Sequence, residues 1–585
     1  MDFRLPSYTP KIPNLKGLRF KKKDTDVPDG VIPYEIENFI KIYERSFIEN
    51  WDLPALTDYP TGETVTYGEF AERIAMTHLF FESLGIKPGD KVALCGKDSM
   101  RWVEVFMATI TYGAIIVPIL SEFNPVDITH IVNHSGAELL VVSESIWEHI
   151  EPQSLLNVKG VLSLTKRGLL YENGKPEIER ILKLLRRRFN RKYAGGFDST
   201  CVKYIDRSNV EITEINYTSG TTGFSKGVML TGENLAGNVC YGIWSELHYR
   251  NSRNLSFLPL AHAYGCAFDL LTPLATGSHV TILGKTPSPR VLLKAFADVK
   301  PNLIITVPLI LEKIYKTQIL PLISKGTMRW TLAVPLLDSY IYTKIRKKLI
   351  EAFGGEFEEV IVGGAPLNHE VEEFLYKIKF PFTVGYGMTE CGPLISYTHW
   401  QEFKVGSSGK TLPTMESKIL SDDPENIPGE VCVRGSNVMK GYYKNETATE
   451  EVFDEDGWLK TGDMGTRTPD GTLFLRGRSK TMILSGSGQN IYPEEIEAKL
   501  NNMPFVAESL VIERDGKLIG LVYPDYETLD RLGITPTDMD DTMENVRKEL
   551  NELVAPYERL SKIILQPNEF EKTPKRSIKR YLYTR

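Results

Sequence analysis

Residues 217–235 read YTSGTTGFSKGVMLTGENL, and the prediction of the fold starts from this stretch. It follows EITEIN (residues 211–216), a run that is typical of a β-strand. Hydroxyl side chains lie among Gly220, Gly223 and Gly227, and glycine lets a backbone turn tightly and present its N–H groups to an anion. Lys226 adds a positive charge. The stretch therefore predicts a strand followed by a loop that wraps a polyphosphate.

This predicted phosphate loop differs from a Walker A loop. A Walker A loop has glycine immediately before its lysine and Ser or Thr immediately after it. Here Ser225 and Gly227 flank Lys226. A flexible surface loop rich in Ser, Thr and Gly is the alternative that this stretch leaves open when it is taken alone.

The composition is that of an ordinary globular protein. The chain has 585 residues, of which 42% are hydrophobic and 25% charged, and its net charge of −7 argues against a nucleic-acid partner bound over the whole surface. The six cysteines include no CxxC pair, which argues against a disulfide framework or a zinc site and fits a reducing compartment. The N-terminus lacks an apolar core of signal-peptide length, and the apolar run at residues 106–120 is shorter than the ~20 residues of a membrane span. We expect a cytoplasmic protein.

Alternation of helix-like and strand-like patterns predicts the fold class. In residues 60–150, EFAERIAMTHLFFESLG and WVEVFMATITYG have helical spacing, whereas KVALCG and AIIVPIL resemble short buried strands. This rhythm favours an α/β fold, with a mostly parallel sheet covered by helices. From residue 407 the pattern changes to short strands with a hairpin at PDG, and a compact α+β unit follows. We place the boundary near Lys480, between residues 1–479 and 480–585.

The phosphate loop resembles that of the adenylate-forming superfamily, which comprises acyl- and aryl-CoA synthetases, peptide-synthetase adenylation domains and luciferases. One position departs, because Ser225 stands where the family has proline. Further motifs follow in the family's order: PLAHAYG (259–265), VGGAPL (362–367), VGYGMTECGP (384–393), GWLKTGD (457–463) and GRSKTMILSGSGQNIYPEEIE (477–497). The resemblance implies a large N-terminal domain of layered sheets and helices and a small, mobile C-terminal domain that swings about a hinge at Lys480.

The resemblance also implies which residues contact ATP, Mg²⁺ and the acid. Joining a carboxylate to AMP brings two anions together, so the main chemical need is for positive charge and fixed donors, and Mg²⁺ prefers oxygen ligands. The implied phosphate contacts are Thr218, Ser219, Gly220, Thr221, Thr222, Gly223, Lys226 and Thr389, and the implied adenine contacts are Gly364, Ala365, Pro366, Gly385, Tyr386, Gly387 and Met388. Asp463 is the implied ribose contact, and Arg478 holds either the same sugar or the phosphates. The implied metal ligands are Glu390 and Thr218, and His262 lies near the acyl site.

A departure from the family pattern lies near the C-terminus, where residues 570–583 read FEKTPKRSIKRYLY. Anchoring on Thr573 and Arg580 puts Ser577 where the family has a lysine that reaches the α-phosphate. Lys575 and Lys579 flank that position, and in an extended segment positions two apart share a side and lie about 6.5 Å apart. Three alternatives stay open: one of these lysines substitutes as a catalytic cation, adenylation is slow, or the alignment slips. Gly486, Ser487 and Gly488 are similar to the loop that lines the family's thiol tunnel.

Residues 344–390 resemble the long-chain fatty acyl-CoA synthetase branch. This implies an ATP-dependent ligase that joins a fatty acid to CoA and releases AMP and pyrophosphate. One alternative is an enzyme that passes the acyl-adenylate to an acyl-carrier protein or activates another carboxylate. Another is a member of the family that binds the nucleotide without efficient turnover, which Ser577 at the position of the family's lysine favours. Candidates for an apolar acid site are Phe257, Tyr264, Phe268 and Leu271, although core packing is the favoured interpretation of each one alone.

A basic amphipathic stretch lies at residues 166–195. Leucines and Phe189 form a stripe beside Arg186, Arg187, Arg188 and Arg191. The favoured interpretation is a solvated helix that packs on its domain through the leucines. A helix of this kind can also lie on an anionic membrane surface, so peripheral contact with the inner membrane surface is the second interpretation.

Overall fold

The computed structural model of the protein describes residues 35–174, 177–218, 225–320, 337–484, 490–514, 516–533, 538–573 and 577–584. Residues Ile36–Arg585 belong to one compact unit. It is built from layered sheets and helices, and the predicted α/β class is confirmed.

A mostly parallel sheet carries the strand that leads into the phosphate loop. Its described strands, in spatial order, are Gly441–Tyr442, Lys226–Thr231, Ile212–Thr218, Ile115–Ile119, Lys91–Cys95, Leu139–Val142, Gly160–Ser163 and Leu169–Glu172. The central strands are parallel, while those at both edges run antiparallel to their neighbours. The central strands are apolar along nearly their whole length, as expected when helices cover both faces of a sheet.

A second, mostly parallel sheet carries the loops that follow the adenine-type motifs. Its described strands are Phe382–Val384, Glu359–Val362, Leu303–Thr306, Arg253–Ser256, His279–Ile282, Pro54–Asp58 and Thr64–Thr66. Ligands of open α/β sheets bind beyond the carboxyl ends of the strands. The glycines at 363–364 and 385 follow directly after the strands Glu359–Val362 and Phe382–Val384.

Smaller sheets complete the described part of the chain. They contain Tyr386–Gly387, Leu394–Tyr397 and Lys410–Thr411; Met415–Leu420, Gly429–Gly435, Leu459–Arg467 and Leu473–Arg478; Ile483–Leu484 and Asn490–Ile491; and Val506–Arg514, Lys517–Pro524 and Lys562–Leu565. The predicted hairpin at PDG is confirmed, because Leu459–Arg467 and Leu473–Arg478 pair antiparallel around it.

Helices cover the sheets. Those described are Phe39–Glu49, Tyr67–Leu84, Met100–Tyr112, Pro125–Ser135, Glu144–Trp147, Ile178–Lys192, Gly232–Trp244, Ala263–Gly265, Thr272–Thr276, Pro289–Val299, Pro308–Ile314, Leu337–Ala352, His369–Lys377, Glu446–Val452, Pro493–Leu500, Tyr526–Leu532 and Met539–Leu553, with π-helical turns at Cys266–Leu271 and Tyr315–Ile319. The predicted end of a helix at Gly85 is confirmed: its φ is +75°, a conformation that glycine adopts without steric cost.

The apolar core divides at the start of the C-terminal segment. Within the described ranges, one buried cluster extends from Phe39 to Leu473, and smaller clusters lie between Ile491 and Phe570. The two parts touch where Asn368 and Asn502 exchange side-chain hydrogen bonds and where Lys316 Nζ donates to the Asn501 carbonyl at 3.2 Å. The domain boundary and the hinge at Lys480 stay a prediction.

The surroundings of the cysteines and the basic helix, Ile178–Lys192, also bear on the sequence predictions. All six cysteines are free, and five of them are buried. The apolar run at 106–120 forms the end of the helix Met100–Tyr112 and the strand Ile115–Ile119, as predicted. The predicted packing of the basic helix through its leucines is confirmed, since Leu182 and Leu185 pack partly buried against the core; Ile178, Ile181 and Phe189 are buried as well. Among the helices that the structure describes, none combines the length and the apolar character needed to cross a bilayer.

Candidate active site

The two ends of the predicted phosphate loop lie side by side at a sheet edge. The strands Ile212–Thr218 and Lys226–Thr231 form a hairpin in which Thr218 pairs with Lys226, and Thr218 Oγ1 lies 3.5 Å from the Lys226 carbonyl oxygen. Gly227 fits there because a Cβ would lie 3.0 Å from the Tyr217 ring. The predicted contacts Ser219, Gly220, Thr221, Thr222 and Gly223 lie outside the described residues. The structure thus brings together the two flanking residues, Thr218 and Lys226.

Tyr386, Asp463 and Arg478 form one hydrogen-bonded group. The Tyr386 hydroxyl donates to Asp463 Oδ2 at 2.7 Å, and Arg478 Nε lies 3.1 Å from Asp463 Oδ1. Asp463 and Arg478 pair directly across the antiparallel strands Leu459–Arg467 and Leu473–Arg478. Burial raises the pKa of the Asp463 carboxyl, and the nearby Arg478 guanidinium opposes that rise. The two residues predicted to bind ribose therefore meet the ring predicted to stack on adenine.

The adenine-type motif VGYGMTECGP wraps around the edge of the second sheet. Gly387 is required beside Tyr386, since a side chain there would collide with the carbonyl of Pro393. The motif continues into a single 3₁₀ turn, Thr389–Cys391, in which Thr389 is buried. The loop glycine Gly364 has φ of +86°, so the chain can turn back over the strand Glu359–Val362.

Glu390 is connected to the phosphate-loop lysine through Tyr442. The Tyr442 hydroxyl donates to Glu390 Oε1 at 2.9 Å, and Lys226 Nζ lies 4.6 Å from the centroid of the Tyr442 ring. Burial and the Glu390 carboxylate raise the pKa of Tyr442, which keeps the phenol protonated as a donor. Sequence reasoning missed Tyr442. It reaches the site because Gly441–Tyr442 pairs with Lys226–Thr231, a long-range contact with no local sequence signal.

A cavity of about 50 Å³, open to solvent at its mouth, joins the adenine-type motifs to an apolar wall. Residues of the predicted nucleotide site and of the predicted acyl site line it together: His262, Tyr264, Phe268, Gly363, Gly364, Gly385, Tyr386, Gly387, Met388 and Thr389, with Leu247, Ile305, Ile361, Pro393, Leu394 and Tyr397. Ala365 and Pro366 are exposed on the loop beside the cavity and are not among its lining residues.

The polar atoms at the apolar wall already have partners. Tyr264 Oη donates to the Ile361 carbonyl at 3.1 Å, and Tyr397 Oη donates to the buried carboxyl of Glu359. His262 Nδ1 accepts from the Tyr264 amide at 3.3 Å and so caps the helix Ala263–Gly265. Of the other candidates for an acid site, Phe257 packs against Phe296 in the core, and Leu271 is buried away from the cavity lining. For these two residues the structure supports packing in the core, which was the favoured interpretation.

A model of the AMP-binding enzyme family matches residues 44–443, which is more than half of the chain. The chain belongs to the AMP-binding enzyme family. The long-chain-fatty-acid–CoA ligase FadD15 of Mycobacterium bovis is 28% identical over 88% of this chain and 90% of its own length. A long-chain-fatty-acid–CoA ligase of Escherichia coli O157:H7 is 28% identical over 84% of this chain and 86% of its own length. An adenylate-forming acyl-CoA ligase of this family acts on ATP, a carboxylate and CoA.

Solved structures share the fold of this AMP-binding enzyme. ATP-bound MatB from Rhodopseudomonas palustris superposes with a TM-score of 0.72 at 22% identity, covering 93% of this chain and 98% of MatB. The anthranilate–CoA ligase AuaEII, in complex with anthranoyl-AMP, superposes with a TM-score of 0.73 at 20% identity, covering 93% of this chain and 96% of AuaEII. These likenesses establish the architecture.

The donors near Glu390 are suited to a magnesium ion brought by a nucleotide. Across the described ranges, His, Cys, Asp and Glu side chains form no group of three or more that could hold a metal by itself. Mg²⁺ usually keeps several waters and is held by one or two carboxylates together with substrate phosphates. The single carboxylate of Glu390, which is partly exposed and accepts from the Tyr442 hydroxyl, fits that requirement.

The C-terminal motif of this AMP-binding enzyme is a reversal of the chain. Thr573 N donates to the Ser577 carbonyl at 2.8 Å, and Lys572 bridges Ile578 in antiparallel fashion. The described residues on either side of 574–576 therefore run antiparallel, and a role for Lys575 or Lys579 as the substituting cation stays a prediction. Lys579 Nζ lies 3.5 Å from Glu571, and Lys575 falls outside the described residues.

Arg580 anchors this reversal. Its guanidinium donates to Glu497 at 2.7 Å and to the Val511 carbonyl at 2.9 Å. It therefore fixes the segment to the C-terminal sheet and helix. Gly486, Ser487 and Gly488 lie outside the described residues.

Proposed function

We propose that the protein is an AMP-forming long-chain fatty acid–CoA ligase. The observation that carries this proposal is the cavity, whose one wall is made by the nucleotide-type motifs and whose other wall is apolar. In a first step, the fatty carboxylate attacks the α-phosphorus of ATP and pyrophosphate leaves; in a second, the CoA thiol attacks the acyl-adenylate and AMP leaves. Each step needs the carboxyl carbon to lie where the two walls meet.

In this proposal the residues of the site have distinct tasks. Tyr386 provides a ring for the adenine, while Asp463 and Arg478 hold the ribose. Lys226, Thr389 and the loop at 218–223 hold the phosphates, where positive charge and fixed donors stabilise the developing negative charge. Glu390 and Thr218 would hold Mg²⁺, which supplies further neutralisation of the phosphates. His262 lies at the junction between the nucleotide-type motifs and the apolar wall.

A fatty substrate is supported by the apolar wall. Leu247, Phe268, Ile305 and Leu394 offer only carbon surface to the cavity, and the hydroxyls of Tyr264 and Tyr397 are engaged elsewhere. A site built to bind a polar acid would instead leave converging donors or acceptors directed at the ligand. The long-chain fatty acid ligases among the relatives point the same way.

A swing of residues 480–585 about Lys480 belongs to the same proposal. Lys480 is exposed and follows Arg478, the last residue of a strand, while Ser479 N donates to the Gly462 carbonyl at 2.9 Å. A hinge at such a position can change orientation without disturbing the core. We further propose a cytoplasmic location, supported by the free cysteines, with peripheral contact at the inner membrane surface.

The test is a panel of acids from acetate to palmitate with ATP, Mg²⁺ and CoA, scored for both AMP and thioester. We expect both products to increase together for acids with long alkyl chains. Release of AMP only when a phosphopantetheinyl carrier protein replaces CoA would identify the carrier-protein ligase instead. If none of the acids supports exchange of pyrophosphate into ATP, the proposal is overturned and the protein is one that only binds the nucleotide.

A further inference from the structure

The basic helix concentrates positive charge on an otherwise acidic protein. Its 15 residues include seven Lys or Arg and a single glutamate, whereas the whole chain has a net charge of −7. None of these cations lines the cavity or contacts a residue of the candidate site. The proposed reaction therefore leaves this charge unexplained.

One face of the basic helix is fixed to the protein. Ile178 and Ile181 are buried in the core, and Phe189 is buried against Tyr193 and Phe197. Three cations tie the helix to its neighbour Tyr67–Leu84: Arg186 to Glu72 at 2.9 Å, Arg188 to Ser83 at 2.7 Å and Lys192 to Glu82 at 3.4 Å. The helix is thus held in one orientation, and its opposite face is fixed relative to solvent.

That opposite face carries what we call the outer stripe: Arg180, Leu184, Arg187 and Arg191. These positions recur at i, i+4, i+7 and i+11, which places them on one side of an α-helix. Arg187 and Arg191 are exposed, and in the part of the chain that the structure describes neither has a hydrogen-bond or ion-pair partner. Leu184 is partly exposed and does not belong to the core.

We propose that the outer stripe docks the protein on an anionic lipid bilayer. Each Lys or Arg close to an anionic membrane surface strengthens binding by roughly fivefold, and the attraction falls off within a Debye length. Leu184, in the middle of the stripe, can enter the boundary between headgroups and acyl chains. An apolar side chain at that position suits a lipid surface better than the phosphate backbone of a nucleic acid.

Docking adds a membrane partner to the proposed function, and its biological role rests on that function. A long-chain fatty acid partitions into bilayers, so a ligase held at the membrane surface meets its substrate there. Docking itself needs neither ATP nor acid, so it can be measured on the full chain without any substrate.

The first experiment is sedimentation with vesicles of phosphatidylcholine alone or mixed with phosphatidylglycerol. We expect binding to the mixed vesicles only, and loss of that binding at high salt. The double variant Arg187→Glu/Arg191→Glu should bind the mixed vesicles at least about tenfold more weakly. Leu184→Ser should lower the binding that persists at intermediate salt.

The matched control is Lys347→Glu/Lys348→Glu. These lysines are exposed on the helix Leu337–Ala352, and the double reversal changes the net charge by the same amount. The control should bind the mixed vesicles as the parent protein does. Equal losses in the two double variants, or equal binding to both kinds of vesicle, would overturn the proposal.

An activity measurement separates this inference from the proposed function. The Arg187→Glu/Arg191→Glu variant should activate octanoate in solution at the parent rate, but should activate palmitate delivered in mixed vesicles several-fold more slowly. Parent rates with both acids would contradict docking while leaving the ligase intact. Parent protein that activates neither acid would contradict the ligase, and the vesicle measurement would still decide the docking.

Discussion

At the residue scale, the carboxylate of Asp463 is held between two partners before any nucleotide arrives. Tyr386 donates to one of its oxygens and Arg478 approaches the other. The carboxylate is therefore oriented in advance, and little side-chain entropy is lost when ribose hydroxyls bind it. Its contribution should appear in the affinity for ATP more than in the chemical step.

We predict that Asp463→Ala raises the KM for ATP by about ten- to a hundredfold, because a hydrogen bond to a charged group contributes roughly 1.5–3 kcal/mol. Tyr386→Phe keeps the ring and removes only the hydroxyl, so its effect should be severalfold smaller. Initial rates over a range of ATP concentrations measure both. The control is Asp456→Ala, an exposed acid outside the site. An unaltered ATP response in Asp463→Ala would remove this residue from the ribose.

A second prediction concerns Glu390. Glu390→Gln should slow exchange of pyrophosphate into ATP by about a hundredfold and raise the Mg²⁺ concentration needed for half-maximal rate, because it removes the charge proposed to hold the metal. The fold should survive, since the amide oxygen can still accept from Tyr442. Tyr442→Phe, which leaves the charge in place, should show a much smaller effect. Ordinary Mg²⁺ dependence in folded Glu390→Gln would refute the metal assignment.

Local motifs allowed many site residues to be predicted, but not their partners. Tyr386, Asp463 and Arg478 could be predicted to share a nucleotide because each lies in a recognisable motif. That Tyr442 would join Glu390 to Lys226 could not be predicted, because the contact depends on an added strand pairing with the phosphate-loop hairpin.

At the scale of elements, the end of the chain bears on the proposal that Lys575 or Lys579 stabilises the α-phosphate in place of the family's lysine. The reversal at 573–577 puts Ser577 opposite Thr573, and Lys579 is neutralised by Glu571 at 3.5 Å. A lysine held by a carboxylate has to leave it before it can serve a phosphate.

We predict that Lys575→Ala or Lys579→Ala lowers the rate of pyrophosphate release by about a hundredfold, the loss typical of a removed charge-stabilising group. Glu571→Gln is the matched variant for Lys579: it frees the ammonium and should leave the rate equal to or above that of the parent. Rates would be followed with a long-chain acid at saturating ATP. If both alanine variants keep the parent rate, neither lysine has this role.

Elements with strong local signals could be predicted, and those that depend on distant contacts could not. The helix ending at Gly85 and the hairpin at PDG follow from helical spacing, a glycine stop and turn chemistry. Within 570–583, the pairing of Lys572 with Ile578 and the ion pair of Arg580 with Glu497 could not be predicted, because the local pattern does not reveal these interactions.

At the scale of the whole molecule, buried carboxyl groups should make the stability depend on pH. Burial raises the pKa of Asp98, Glu214, Glu359 and Glu372 to about 7 in each case. Between the ordinary value and about 7, the folded state holds more protons than the unfolded state, so the free energy of unfolding falls as pH rises through this window.

We predict that the apparent Tm falls from pH 5 to pH 8 and that Glu214→Gln flattens this fall, with a relative stabilisation at pH 8 of up to about 3 kcal/mol. Thermal melts at one scan rate across this range measure the change. Glu402→Gln, at an exposed position, should keep the slope of the parent. A steeper fall in Glu214→Gln would contradict the raised pKa.

The pair formed by Asn368 and Asn502 has a consequence for how events at the two ends of the protein are coupled. Asn368 follows directly on the loop that lines the cavity, and it also caps the helix His369–Lys377. Its side-chain amide therefore connects that loop to the C-terminal segment through Asn502. Rotation of the C-terminal segment would have to break this pair first. A ligand that restricts the motion of the loop would favour one orientation of the C-terminal segment. By thermodynamic reciprocity, that orientation would raise the affinity for the ligand by the same factor.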